Sequence, residues 1–197
     1  PGPVLVEMMG DVCLEKIPES ALDYHSPSVT RQITSGTNIK NAVETMLSAR
    51  RPVIWAGMGT LLSGASDELT ELADLTDIPV ITSMPGKSAI DERHPLALGA
   101  ANRTAPQPVV KWLQESDVLF AAGSSLTNTA YAQEIPPGKI VIHNVASVED
   151  INKDIPADIG LPGDTRETLR AIIDVLKGEI GEHGRTQSGL REEIAQT

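Results

Sequence analysis

The sequence predicts an α/β fold: an open, doubly wound, six-stranded parallel sheet with helices on both faces. Three observations predict it. Short apolar runs alternate with helical patterns at close spacing from residue 37 to residue 178. Strand-like runs such as Val53–Ala56 carry no polar alternation, which fits strands buried on both faces of a parallel sheet. Aromatic residues are few (Tyr24, Trp55, Trp112, Phe120, Tyr131), so the core must be aliphatic, which suits helices on a parallel sheet better than a β-sandwich.

The elements come in this order. Val4–Met8 reads as a short strand, and residues 16–36, rich in Pro, Ser and Thr, read as a linker. Ile39, Ala42, Val43, Met46 and Leu47 have helical spacing, with Thr37 or Asn38 available as a cap and Arg50-Arg51-Pro52 as the stop. Val53–Ala56 is the first strand of the sheet. Leu69, Leu72, Ala73 and Thr76 make the next helix face, with Ser63 or Ser66 to cap it and Asp67 and Glu68 in its first turn. Residues 79–82 and 96–99 read as the second and third strands, and Pro106–Glu115 as a helix with proline tolerated in its first turn. Residues 117–122, 139–143 and 157–161 supply three more strands. A last helix runs from Thr165 to about Lys177, with Leu169, Ile172, Ile173 and Leu176 on one face. Residues 179–197 are polar and glycine-rich and read as a tether with a weak helical end. The expected division is therefore 1–36, 37–178 and 179–197, the middle part being a Rossmann-like domain.

Composition removes several classes of function. A formal charge of −11 over 197 residues, with Lys and Arg scattered, argues against nucleic acid and against an anionic membrane surface. No apolar run approaches the ~20 residues of a membrane span. Cys13 stands alone, so the chain offers no disulfide framework and no cysteine metal site. A cytoplasmic location is the expectation. The opening Pro1-Gly2-Pro3-Val4, without a starting Met, reads as part of a longer protein and not as a signal peptide.

The chemistry-bearing candidates sit at strand ends. Gly57-Met58-Gly59 follows the first strand as a phosphate turn would, but the third fingerprint glycine is replaced by Leu62 and no ribose-binding acid ends the next strand at Thr82-Ser83. Tight turning and close packing explain the glycines equally well. Pro85-Gly86-Lys87-Ser88 resembles the end of a phosphate loop, yet position 81 is Ile where the first glycine would be. Gly123-Ser124-Ser125 ends the fourth strand without the Gly-x-Ser-x-Gly elbow of a hydrolase. His143-Asn144 ends the fifth strand, where His143 either meets a ligand or bonds to backbone. Asp164 is a natural N-cap for the last helix. His25, His94 and His183 have no metal-like spacing. No catalytic group and no metal site emerge from the residues alone.

Several ordered motifs resemble one family. PGPVLVEMMGDV (1–12) is similar to the segment closing the first domain of thiamine-diphosphate-dependent enzymes of the acetolactate synthase and 2-oxo acid decarboxylase type. RPVIWAGMGTLLSGASDELTELADLTDIPVITSMPGKSAIDERHPLALGA (51–100) resembles the core of their central domain, and SDVLFAAGSSL (116–126) and KIVIHNVASVEDINKDIPADIGLPGDT (139–165) resemble its later strands. The resemblance implies a six-stranded DHS-like NAD/FAD-binding fold, preceded by the tail of a pyrimidine-binding domain and followed by a linker to a diphosphate-binding domain. It implies a parent that uses thiamine diphosphate and Mg²⁺ on 2-oxo acids, as decarboxylase or carboligase, and that is a homo-oligomer. The activating Glu and the Gly-Asp-Gly…Asn magnesium motif of the family belong to the outer domains. Gly163-Asp164 is followed by Thr165 and is not that motif. This stretch is then expected to be inactive by itself, a scaffold and subunit contact.

The alternative is a nucleotide-binding module holding FAD or an ADP or CoA nucleotide. Its site would draw on Gly57, Gly59, Ser83, Gly99, Gly123, Ser124, His143, Asn144 and Asp164. Flavin-binding members of the family carry Gly-Ala-Arg-Phe-Asp-Asp-Arg after the fourth strand. Residues 123–129 read Gly-Ser-Ser-Leu-Thr-Asn-Thr instead, and Val145 stands where those members have an acid after the fifth strand. A diphosphate would lose charge-assisted partners worth ~1.5–3 kcal/mol each.

Overall fold

The computed structural model describes residues 3–23, 25, 31–185 and 189–196. Residues 24 and 26–30 of the expected linker, and 186–188 and 197 of the expected tether, lie outside the described residues. The chain divides into two compact units, residues 1–30 and residues 31–197.

The first unit has only two short 3₁₀ turns among its described residues, Val12–Leu14 and Glu19–Leu22. The expected strand at Val4–Met8 does not form, and Val4, Leu5 and Val6 are 80–90% exposed. A strand exists only through ladder bonds to a neighbour, and among the described residues none pairs with this run.

The second unit holds a six-stranded parallel sheet. In chain order its elements are α1 (Gly36–Ser48), β1 (Pro52–Ala56), α2 (Met58–Leu62), α3 (Ser66–Thr76), β2 (Val80–Ser83), β3 (Ala97–Ala101), α4 (Gln107–Glu115), β4 (Val118–Ala122), β5 (Ile140–Val145), β6 (Ile159–Pro162), α5 (Thr165–Ile180) and α6 (Leu190–Ala195). The strand order is β3-β2-β1-β4-β5-β6, and every pairing is parallel. Order reverses between β1 and β4, so the fold is doubly wound, with its switch point at the carboxyl ends of those two strands.

Why these residues make these elements is plain from burial. Side chains alternate faces along a strand, yet every residue of β1 and of β4 is buried, so both faces are covered. α5 presents Leu169, Ile172, Ile173 and Leu176 to the core and packs against both α1 and α3. Glu68 of α3 fastens that contact: its Oε1 accepts from Arg166 Nε at 2.7 Å and from Arg170 Nε at 3.0 Å. Burial raises the Glu68 pKa, and the two arginines together with its own backbone N–H more than offset this and leave it lowered. No helix among the described residues is long and apolar enough to cross a membrane.

Three local expectations are corrected. α1 starts at Gly36 after Ser35 with no side-chain cap, and Asn38 instead donates to Gly160 O at 3.0 Å, pinning α1 to β6. α3 follows Ala65, so neither Ser63 nor Ser66 caps it. The stretch read as a polar tether begins as helix, since α5 continues to Ile180, and later folds back to bury Leu190.

Candidate functional site

A ligand of a doubly wound sheet approaches the carboxyl ends of the strands at the switch point. Here that point is occupied by backbone. β1 ends at Ala56 and β4 at Ala122, and the turns after them are zipped together. Gly57 N donates to Ala122 O at 2.8 Å, and Gly59 N donates to Gly123 O at 2.7 Å. Thr60, fully buried, adds its Oγ1 to Ala122 O at 3.0 Å. The fit is tight enough to exclude side chains. A Cβ on Gly57 would lie 2.6 Å from Ser124 Cα, one on Gly59 2.7 Å from Gly123 O, and one on Gly86 2.8 Å from Gly57 C. Gly123 also has a positive φ of 60°, and a Cβ there would lie 2.7 Å from Gly59 C.

Behind this seam stand His143 and Asn144, both fully buried at the end of β5. Asn144 ties three elements together. Its Oδ1 accepts from Gly123 N at 3.2 Å, and its Nδ2 donates to Leu161 O at 2.9 Å, Gly163 O at 3.3 Å and Thr168 Oγ1 at 3.2 Å. His143 Nε2 lies 2.7 Å from Ser124 O. A carbonyl only accepts, so Nε2 carries the hydrogen and Nδ1 is left as an acceptor that meets no donor among the described residues. Burial pushes the His143 pKa down, against smaller upward pulls from the Ser124 carbonyl and Asp150.

Asp164 is the N-cap of α5, in keeping with its position, and its Oδ1 accepts from Glu167 N at 3.2 Å. Its own N–H donates to Gln32 O at 2.9 Å. Arg31 lies over the same carboxylate at 3.1 Å and donates to Ser63 O at 3.1 Å. The anion favoured at a helix N-terminus is thus a carboxylate of the chain itself.

Of the nine residues expected to line a nucleotide crevice, Gly57, Gly59, Gly123, Ser124, His143, Asn144 and Asp164 converge at the carboxyl ends of β1, β4, β5 and β6. Ser83 ends β2, where its Oγ accepts from Gly86 N at 3.0 Å. Gly99 is not at a strand end: it lies inside β3, paired with Ile81, at a register shift and with φ 111°. Thr60, Gly86, Thr168 and Arg31 also belong to the seam and its surroundings, and no sequence motif marks them for that place. Gly86 is visible in the sequence only as part of the false phosphate loop. Lys87 of that loop pairs with Glu92 at the surface.

A dinucleotide diphosphate needs free donors. The amides of Gly57, Gly59 and Gly123 already donate to oxygens of this chain, and the unpartnered atom nearby, His143 Nδ1, is an acceptor. Those three glycine amides are therefore not free to bind the diphosphate of FAD or ADP. Among the described residues, no group of three His, Cys, Asp or Glu is placed to hold a metal ion.

A family model described as the thiamine pyrophosphate enzyme central domain matches residues 39–172. The chain belongs to this family. The probable acetolactate synthase large subunit of Methanococcus aeolicus is 34% identical to it, over all of this chain and 34% of that protein. The glyoxylate carboligase of Escherichia coli O157:H7 is 30% identical over 94% of this chain and 32% of its own length. The chain thus spans about a third of the curated relatives it matches. Among solved structures, benzoylformate decarboxylase from Polynucleobacter necessarius superposes on 89% of this chain and 32% of its own, with a TM-score of 0.66 and 20% identity, a likeness of fold. Within a central domain, the sealed switch point is the feature that bears on function.

Proposed function

We propose that this central domain is a non-catalytic scaffold within a thiamine-diphosphate- and Mg²⁺-dependent enzyme that acts on 2-oxo acids, as decarboxylase or acetolactate synthase-like carboligase. Thiamine diphosphate supplies the electron sink for the carbanion such reactions need. Cofactor and metal would be held by pyrimidine-binding and diphosphate-binding domains of the same parent chain. Residues 1–36 are then the tail of the former with its linker, and residues 179–197 lead to the latter. The parent is a cytoplasmic homo-oligomer to which this domain contributes subunit contacts.

The observation that carries the scaffold reading is the seam between the β1 and β4 turns. The Gly57 and Gly59 amides are spent on backbone carbonyls and the Gly123 amide on Asn144, and the space beside the glycines is filled by Gly123 and Ser124. What remains for the domain is mechanical: a sheet whose central strands are buried on both faces and which holds other parts in place. Calorimetric titration with FAD, and then ADP, tests this. The expected result is no saturable heat up to millimolar ligand while circular dichroism reports a folded domain. Micromolar binding of either nucleotide would overturn the scaffold reading in favour of the nucleotide-binding module.

A further inference from the structure

A spacer needs its chain fixed where it enters and where it leaves. The entering end is held at the carboxyl pole of the sheet: Arg31 lies over Asp164, Gln32 O accepts from Asp164 N, and Thr34 Oγ1 donates to Pro162 O at 2.9 Å. The leaving end shows a matching arrangement at the opposite, amino pole, in a stretch whose composition reads as a loose tether.

After α5 the chain turns at Gly181 and Gly184, both with positive φ. Gly184 is pressed onto the end of α3, where a Cβ would lie 2.7 Å from Leu75 Cα. Arg185 then closes two helix ends at once. Its N–H donates to Leu75 O at 2.9 Å, its Nε to Thr76 O at 2.9 Å, and its Nη1 to Leu47 O at 3.0 Å. The last carbonyls of α3 and α1 lack intrahelical partners and carry the negative end of the helix dipole, so a guanidinium suits them both.

α6 continues the contact. Leu190 is buried against the core. Arg191 donates to the buried Asp77 at 2.9 Å and to Asp74 at 3.2 Å. Glu193 accepts from Arg51 at 2.7 Å and from Lys111 at 2.8 Å, and these two cations hold its carboxyl pKa at about 2. Arg51 is itself fixed, its guanidinium 3.7 Å from the Trp112 ring centre. Asp77 precedes β2, Arg51 precedes β1, and Lys111 is on the helix that leads into β4. These contacts lie at the amino ends of the central strands, at the pole opposite the switch point.

We propose that residues 184–185 and 189–196 form a docked strap, locked by charge across the amino pole, which fixes where the chain leaves this domain. The proposal rests on the scaffold reading and deepens it: with the chain pinned at both poles, the sheet sets a fixed span between the flanking parts of the parent chain. The lock is electrostatic and partly exposed, so salt should loosen it.

Trypsin cuts after Arg191, inside α6, so limited digestion of the whole 197-residue chain with readout by mass spectrometry reports its docking directly. Cleavage of a folded protein tracks the population of the locally open form. At low salt, the bond after Arg191 should be cut at least 100-fold more slowly than in the urea-unfolded chain. The double variant Asp77→Asn/Glu193→Gln should raise that rate at least 10-fold with the far-ultraviolet dichroism of the sheet retained. Asn tolerates the left-handed backbone that Asp77 adopts (φ 53°). Glu193→Gln alone leaves the buried Asp77 pair intact and should raise it about 3-fold, which decides the matter if the double variant fails to fold. Cleavage of the unaltered chain at the unfolded rate, or an unchanged rate in the single variant, overturns the strap. Neither outcome depends on nucleotide binding at the other pole, so the strap and the scaffold reading fail separately.

Discussion

Replacing Gly123 by Ala tests whether the switch point is sealed. Gly123 has φ 60°, and the left-handed region costs a non-glycine residue about 1 kcal/mol. The new methyl would lie 2.7 Å from Gly59 C and inside contact distance of Thr60 N, both backbone atoms that cannot rotate away. Carbon contacts relax near ~3.5–4.0 Å, so the two turns must part by roughly 1 Å. That movement breaks the 2.7 Å bond from Gly59 N to Gly123 O and the 3.2 Å bond from Gly123 N to Asn144. Each buried group left unpaired costs ~1–3 kcal/mol. The sum is about 3–7 kcal/mol. Gly64→Ala is the control, because Gly64 has φ 67° but nothing within 4 Å of its Cβ direction. It should cost only about 1 kcal/mol. Urea unfolding monitored by circular dichroism measures both. A Gly123→Ala domain within about 1 kcal/mol of Gly64→Ala would refute the reasoning, since the turns would then yield easily enough to admit a ligand.

Two further predictions concern pH. His143 is neutral in the fold and its pKa is pushed below 6.5, so the unfolded chain takes up the proton first. Its contribution is whole above pH 6.5 and is lost as pH falls towards the lowered value, with a slope of at most ~1.4 kcal/mol per pH unit. His143→Gln should flatten the stability profile as pH falls below 6.5, and an unchanged slope there would contradict the burial argument. Asp117 accepts from the backbone N–H groups of Arg50 and Arg51, both at 2.9 Å. Burial raises its pKa, but those two bonds, a third from its own backbone N–H and the charge of Arg50 together outweigh it and leave the value below 3.8. Asp117→Asn should cost about 1–2 kcal/mol at about pH 7. The gap to the unaltered domain should close as pH falls below 3.8, and acid unfolding curves of the two proteins that stay parallel would count against it.

Where the sequence could be read, local physics was enough. β1 and β4 were legible because strands covered on both faces are continuous apolar runs, and α5 because four large aliphatic residues recur at helical spacing. What escaped was either too short or too distant. α2 has five residues with Met58 and Leu62 half exposed, so it offers no periodicity to detect. The strap was hidden because its partners are far away in sequence: Glu193 meets Arg51 and Lys111, and Arg191 meets Asp77. Read locally, those charges only look soluble. Val4–Met8 erred in the other direction, since an apolar run cannot announce that it lacks a neighbouring strand.

The glycines of the candidate site show why a motif of this kind is ambiguous before a structure exists. Gly57, Gly59 and Gly123 are required wherever something must come close to the backbone, and the sequence does not say what. In a nucleotide site that something is a pyrophosphate. Here it is the opposite turn: each glycine faces another stretch of main chain, and the amides a phosphate would use are bonded to carbonyls or to Asn144. The two situations ask for the same residues at the strand ends and differ only in what answers the donors. Charged partners would have separated them, and residues 123–129 carry none. A turn that needs glycine but offers no cation is better explained by contact between two loops than by contact with an anion. That pairing of glycine demand with missing charge is the part of the sequence that points to the sealed crevice.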